Sequence, residues 1–325
     1  MYTFENLQKK VNETLAEESF VQQPTDLYEP VQYALESGGK RLRPVLALMA
    51  YDLFEEDPAE VVQPVMGLEI FHNFTLIHDD IMDGADMRRN KPTIHKKWND
   101  NVAILSGDAM FIKAYEYLFK FRGERFREVI EAFNHTALKV CEGQQYDMNF
   151  ETQENVSEEE YLKMIELKTA VLIAASLKIG ALMGKGSAND VQLLYDFGLN
   201  MGMAFQLQDD FLDTFGDPEV FGKKIGGDIA ANKKTYLYIK ALEKSDADDN
   251  KKLRELFNSD YSGALEDKIH QVTNIYKRTE VDKITKTRIE NYFDSAYESL
   301  NSVNVPAEKK HYLTELAGRL IQRKM

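Results

Sequence analysis

The chain has 325 residues, of which 43% are hydrophobic, and carries 40 Lys and Arg against 54 Asp and Glu for a net charge of −14. That balance is globular, the length suffices for a large core, and without a long Lys/Arg cluster nothing supplies the basic face that nucleic-acid binding requires. One cysteine, Cys141, excludes an intrachain disulfide and a cysteine-based zinc site and fits a reducing compartment.

Only 8 Pro and 18 Gly interrupt the chain, and the stretches between them carry apolar residues at three- and four-residue spacing. This is the helical period, so the expected fold is all-α. The opening MYTFENLQKKVNETLAEESF lacks the apolar run of a signal peptide, and no stretch approaches the ~18 apolar residues of a membrane span. A soluble cytoplasmic protein is expected. Pro44 suits the first turn of a helix that follows a Gly38-Gly39 turn. Val62, Met66, Ile70, Phe74, Ile77 and Ile81 form one apolar stripe, and Leu194, Phe197, Met201, Phe205 and Leu212 another, so both helices are expected to be central. Cys141 reads as a small helical core residue. Ser157 with Glu160 forms a capping box, and Glu158–Glu160 lie in the first turn, where the helix dipole favours them. Polar connectors fall near 151–157, 216–228 and 245–260, but none is a Gly/Ser/Pro-rich linker, and one domain over 1–325 is expected.

Two identical patterns carry the chemistry: DDIMD, with Asp79, Asp80 and Asp83, and DDFLD, with Asp209, Asp210 and Asp213. Each ends an apolar helical stripe, and a spacing of four stacks Asp79 over Asp83 and Asp209 over Asp213. Like charges so placed repel, and burying them unpaired costs several kcal/mol, so a cation is expected at each. Carboxylates select hard cations, and Mg²⁺ is usually held by one or two carboxylates plus waters and substrate phosphates. Two such clusters therefore predict a Mg²⁺–diphosphate clamp. Cations that could hold its anion are Lys40, Arg41 and Arg43 in GGKRLRP, Arg88 and Arg89 after Gly84, Lys223 and Lys224 in FGKKIGGD, and Lys233 in ANKK. His72 lies two turns before Asp79 on the same face. Gly198 and Gly202 precede Gln206 and Asp210 at four-residue spacing, which fits either close helix packing or room for a ligand chain.

GGKRLRP, HNFTLIHDDIMD, MRRNKPTIH, LSGDAM, EGQQYD, ELKTA, FQLQDDFLD and GKKIGGDIAANKKT occur in that order over residues 38–235. In this ordered set the chain resembles the trans-isoprenyl diphosphate synthases of the polyprenyl synthetase family, of short-chain type. The resemblance implies an all-α bundle of antiparallel helices around a deep central cavity, a motif core at 38–235, and a homodimer. It implies a prenyltransferase that condenses isopentenyl diphosphate with dimethylallyl, geranyl or farnesyl diphosphate. Asp79, Asp83 and Asp209, supported by Asp80, Asp210 and Asp213, would coordinate Mg²⁺. Arg88, Lys168, Lys223 and Lys233 would hold the allylic diphosphate, Lys40, Arg43, His72 and Arg89 isopentenyl diphosphate, and Thr169 and Gln206 would line the reacting region. Asn90 stands where many relatives have Gly; both tolerate a left-handed backbone, so the turn is expected to survive.

By the same resemblance, an aromatic residue five positions before the first aspartate is a floor that limits product length. That position is Phe74, about 7.5 Å from Asp79 along the axis. Thr75 is not a second aromatic residue, and DDIMD has no two-residue insertion, so a C20 product is favoured over C15. Two other readings are set against this one. A terpene cyclase shares the first aspartate cluster, but it carries an Asn/Ser/Glu motif where this chain has DDFLD. A ferritin-like di-iron protein is suggested by Glu69-x-x-His72 and Glu308-x-x-His311, yet it leaves both aspartate motifs unexplained.

Overall fold

Helix starts follow the capping chemistry of the sequence. In the computed structural model, which describes residues 1–217, 225–258 and 261–321, Thr3 and Asn6 cap each other to open α1 (Phe4–Glu17), whose Leu7, Val11 and Leu15 are buried at four-residue intervals. Then come α2 (Thr25–Glu36), α3 (Leu42–Asp52), with Pro44 in its first turn, and α4 (Val62–Met82). A two-stranded antiparallel hairpin, β1 (Met87–Arg88) and β2 (Lys91–Pro92), pairs Met87 with Pro92 and Arg88 with Lys91. It leads into α5 (Ile94–Lys97), α6 (Asp100–Leu118) and α7 (Phe126–Thr152). The expected Ser157–Glu160 capping box opens α8 (Glu158–Ile165), which runs through a π-helical turn, Glu166–Ala170, into α9 (Val171–Met183). After α10 (Ala188–Phe215) the chain continues as α11 (Gly227–Ala230), α12 (Tyr236–Lys244), α13 (Ala247–Leu256), α14 (Leu265–Arg278), α15 (Val281–Ser302) and α16 (Ala307–Ile321). Among the described residues the fold is all-α apart from one hairpin, and no helix is long and apolar enough to cross a membrane.

Two expectations are corrected. The stretch 245–260 is not all connector: Asp246 caps α13, which buries only Leu253 and Leu256 and so leaves little apolar period to read. Cys141 is exposed. Around it on α7, Ala137, Val140 and Gly143 are buried, and Cys141 shares the outward face with Leu138 and Gln145.

Contacts divide the chain into two compact units. One comprises Met1–Phe133, Ser176–Gln192 and Asn304–Tyr312; the other comprises Asn134–Ala175, Leu193–Val303 and the chain from Leu313 onward. In the first unit α4 is buried nearly all round. It lies against α6 so closely that a Cβ on Gly67 would sit 2.5 Å from the Ala114 carbonyl oxygen. Phe71 and Phe74 of α4 join Phe111 and Tyr115 of α6 and Phe133 in an aromatic cluster, with Phe71 and Phe133 edge-to-face at 5.2 Å and Phe74 and Phe111 at 5.3 Å. Such pairs add about 0.5–1.5 kcal/mol each beyond their buried area. In the second unit a Cβ on Gly202 of α10 would lie 2.5 Å from Ala170 Cα, so this glycine serves close packing on the π-turn.

A buried ion pair joins α3 to α4. Arg41 Nη1 donates to Glu69 Oε1 at 3.0 Å, with the two side chains 5% and 2% exposed. Arg41 Nη2 also donates to the Leu35 carbonyl oxygen at 2.5 Å, and Asn73 Nδ2 donates to the Glu69 carboxylate at 3.3 Å. Glu69→Leu strands the Arg41 charge and is expected to cost about 3–5 kcal/mol. The double variant Arg41→Met/Glu69→Leu removes both charges and is expected to lose less. Urea denaturation midpoints check this, and a double variant no more stable than the single one contradicts it.

Candidate active site

In the first unit the end of α4 presents DDIMD. Asp80 is buried, Asp79 is half-buried, and Asp83 is exposed at the C-cap, where its N–H donates to the Asp79 carbonyl oxygen at 2.8 Å. Arg88, on the hairpin, donates from Nε to Asp80 Oδ1 at 2.6 Å and approaches Asp79 Oδ2 with Nη2 at 3.5 Å. Burial raises the Asp80 pKa, and the Arg88 guanidinium pulls it back down. The hairpin turns through Arg89 and Asn90 in the left-handed region, with φ of 52° and 61°, so Asn90 supports the turn as expected. Tyr33 ties the hairpin to α2 by donating its hydroxyl to the Pro92 carbonyl oxygen at 2.9 Å.

The same unit gathers a basic patch. Arg89 Nη1 donates to the Gly38 carbonyl oxygen. A Cβ on Gly39, whose φ is 136°, would lie 2.8 Å from that guanidinium, so the approach requires glycine. Lys40 is exposed in this loop, and its carbonyl oxygen accepts from Gln8 Nε2 at 2.8 Å. Arg41, expected among the anion-holding cations, is instead consumed by the Glu69 pair. Arg43 has the opposite surroundings: among the described residues its buried Nε has no hydrogen-bond partner. Burial pushes its pKa down to about 10, Glu69 pulls it up, and Arg89 adds a downward push. His72 is held well below the usual histidine range by burial, then by Arg43, Arg89, Arg88 and Arg41. A small cavity beside the patch is lined by Tyr33, Asn73, Asp80, Arg88, Arg89 and Thr93. Phe74 is half-buried against Phe71 and Phe111, and Thr75 donates its hydroxyl back to the His72 carbonyl oxygen at 2.8 Å.

In the second unit α10 presents DDFLD. Asp210 is buried, and both of its oxygens accept: Oδ2 from the Tyr161 hydroxyl and Oδ1 from Gln206 Nε2 at 3.0 Å. Thr169 Oγ1 donates to Gln206 Oε1 at 3.0 Å, which extends the network into the π-turn. Lys168 on that turn reaches Asp147 Oδ2 at 2.5 Å. A Cβ on Gly143 would lie 2.3 Å from Lys168 N, so the EGQQYD helix leaves the π-turn no more than glycine's space. Burial and then Asp228 drive the Asp210 pKa well above the carboxylate range, against the Tyr161 and Gln206 hydrogen bonds. Asp209 is half-buried, and Asp213 Oδ2 accepts from Asp228 N at 2.9 Å. Lys233 is exposed; Lys223 and Lys224 lie outside the described residues.

Among the described residues no three Asp, Glu, His or Cys side chains converge into a closed metal cage. Hard carboxylate donors in an incomplete set suit Mg²⁺, which takes its remaining ligands from water and phosphate. The di-iron reading fails on its residues: Glu69 is committed to Arg41, and both Glu308 and His311 are exposed on α16. Two contributors were not singled out from the sequence. Asp147 lies inside EGQQYD and was open to recognition as that motif's carboxylate. Tyr161 is separated from Asp210 by 49 residues and has no local signal.

A sequence profile described as polyprenyl synthetase matches residues 24–276. The chain is 38% identical over 302 residues to a geranylgeranyl diphosphate synthase of Sulfolobus acidocaldarius, with 90% of each chain covered. It is 38% identical over 251 residues to a geranylfarnesyl diphosphate synthase of Natronomonas pharaonis, covering 72% of this chain and 74% of that one. A crystal structure of a geranylgeranyl pyrophosphate synthase is similar over 100% of both chains, with a TM-score of 0.94 and 42% identity.

The His72 environment has a testable consequence. Because its folded pKa is depressed, the unfolded chain takes up the proton first as pH falls below about 6.5. Stability is therefore fully present above that pH and declines as pH drops toward the folded pKa. A ring-proton NMR titration should place the His72 midpoint well below 6.5, and added inorganic pyrophosphate should raise it. A midpoint at or above 6.5 without the anion contradicts the assignment.

Proposed function

The chain belongs to the polyprenyl synthetase family as a short-chain prenyltransferase, and we propose that it condenses isopentenyl diphosphate with an allylic diphosphate to a C20 product in a Mg²⁺-dependent reaction. The observation that supports this most is the juxtaposition, in one unit, of DDIMD with Arg43, Arg88, Arg89 and His72. A ligand that is both anion and metal chelator suits such a pairing; a plain anion does not. We further read the chain as one functional domain, 1–325, working in the cytoplasm.

Asp79, Asp83 and Asp209, supported by Asp80, Asp210 and Asp213, would hold the metal. When bound, Mg²⁺ offsets the negative charge that develops on a departing diphosphate. Arg88, Lys168, Lys223 and Lys233 hold the allylic diphosphate as its C–O bond ionises. Lys40, Arg43, Arg89 and a neutral His72 hold isopentenyl diphosphate, whose double bond attacks the allylic cation. Thr169 and Gln206 line the reacting region, and apolar walls exclude the water that would capture the cation. A proton is then lost to the released pyrophosphate, so no side-chain base is assigned.

Incubation with dimethylallyl, geranyl or farnesyl diphosphate, with and without isopentenyl diphosphate, tests the activity. Elongation requires both substrates; products from the allylic substrate alone mark a cyclase and overturn the reading. Asp79→Asn or Asp209→Asn is expected to lower turnover at least a hundredfold, about 3 kcal/mol in transition-state stabilisation. Near-normal turnover in a folded variant contradicts the metal assignment. Phe74→Ala, despite a stability cost of about 3–5 kcal/mol, should shift dephosphorylated products beyond C20 on chromatography. An unchanged distribution means that another side chain sets the limit.

We assign the homodimer interface to α6. Ile104, Leu105 and Ile112 are 42%, 60% and 63% exposed there, and an apolar stripe of this kind on a surface marks an interaction site. Leu105→Glu/Ile112→Glu is expected to turn a sedimenting dimer into a monomer. A monomeric parent protein overturns the assignment.

A further inference from the structure

His78 follows Phe74 by one helical turn, and its imidazole stands nearly edge-on to the Phe74 ring, with centroids 4.7 Å apart and planes at 67°. On its other side the imidazole fills a notch in α6. A Cβ on Gly107 would lie 2.3 Å from His78 Nε2 and 2.6 Å from Cδ2, far inside contact distance, so any other residue at 107 evicts the ring. Nε2 lies 3.2 Å from the Ile104 carbonyl oxygen, and the hydrogen bond places the ring proton on Nε2. Asp108 Oδ1 lies 3.9 Å from the same nitrogen. One turn beyond Gly107, Phe111 packs on Phe74 at 5.3 Å. Phe74 therefore has an aromatic contact from its own helix and another from α6. A glycine inside a helix costs about 1 kcal/mol relative to alanine. At 107 that cost admits the imidazole, and the imidazole in turn limits which staggered rotamer Phe74 adopts.

We propose that His78, seated in the Gly107 notch, is a positioning residue that holds the Phe74 ring across the path of the growing isoprenoid chain and thereby helps to set product length. The proposal rests on the reading of Phe74 as the floor. With the imidazole removed, one edge of the Phe74 ring loses its support, and the ring turns aside without being deleted.

Product distributions from His78→Ala, Gly107→Ala, Phe74→Ala and the double variant Phe74→Ala/His78→Ala test it, with farnesyl and isopentenyl diphosphates and Mg²⁺. The ratio of C25 and longer products to C20 is expected to rise at least tenfold in both His78→Ala and Gly107→Ala. The double variant is expected to match Phe74→Ala alone, because both changes act on one floor. The ratio is read from whatever product forms, so lost turnover beside Asp79 does not hide it, and a merely structural role would lower the rate without changing the ratio. If His78→Ala does not fold, Gly107→Ala carries the same test from the other helix. Lengthening in Phe74→Ala with unchanged ratios in the other two single variants overturns the proposal alone. A double variant that extends products well beyond Phe74→Ala overturns it as well, by making His78 a separate wall. An unchanged ratio in Phe74→Ala overturns the floor itself.

Discussion

Carboxylates at the ends of apolar helices have to be kept in place although their surroundings oppose them. Asp79 and Asp83 close α4, and Asp213 lies in the last turn of α10, at the helix end where the dipole already disfavours negative charge by about 0.3–1 kcal/mol per group. The middle aspartate of each motif is the buried one, and the two are accommodated differently. Asp80 receives the Arg88 guanidinium, which offsets part of the upward push that burial gives its pKa. Asp210 receives two neutral donors, Tyr161 and Gln206, and its pKa rises because Asp228 adds to the burial. Each buried aspartate anchors its helix end, and its neighbours in the motif are more exposed.

The two arginines of GGKRLRP show how little residue type decides by itself. Arg41 takes a left-handed backbone with φ of 51° and turns its guanidinium into the core, where Glu69, Asn12 and the Leu35 carbonyl oxygen satisfy it. Arg43, two residues on, enters a region populated by other cations, and nothing comparable surrounds its Nε. A buried pair such as Arg41–Glu69 adds little net stability over an apolar pair, yet removing one partner is costly, so its effect is to fix which way the loop faces. Arg43 instead lies close enough to His72 to lower its pKa and close enough to Arg89 to have its own lowered, and Lys40 stays exposed in the loop.

Much of the fold was legible because it rests on local chemistry. Ser157 with Glu160 predicts the start of α8, and the stripes around Phe74 and Phe197 predict helices that are in fact buried. The aspartate motifs were legible for a different reason: six carboxylates at repeated spacing have no structural use that offsets their repulsion. What escaped was non-local or weakly periodic. The hairpin has two residues per strand, too short for alternation, and it is held by Tyr33 from α2. Tyr161 reads as the apolar face of α8 until Asp210 arrives from α10. Cys141 was misplaced because a short apolar residue in a helix carries no sign of which face it occupies.

The glycines of the motifs follow one logic that spacing alone does not reveal. Gly39 admits the Arg89 guanidinium, Gly143 admits the Lys168 backbone, and Gly107 admits the His78 imidazole, each at a separation that a Cβ would forbid. In all three the neighbour belongs to the proposed machinery: Arg89 and Lys168 among the groups proposed to hold diphosphates, and His78 as the proposed support of the Phe74 ring. At Gly39 and Gly107 the missing methyl group thus gives a long or cyclic side chain one seat and excludes the adjoining rotamers, while at Gly143 it lets two backbones meet. Mutual repulsion among Arg43, Arg88 and Arg89, beside a His72 that burial and these cations keep neutral, is tolerated on the same terms. The scaffold holds the groups close before any ligand arrives, and an anion that enters meets preoriented donors and relieves a strain already present.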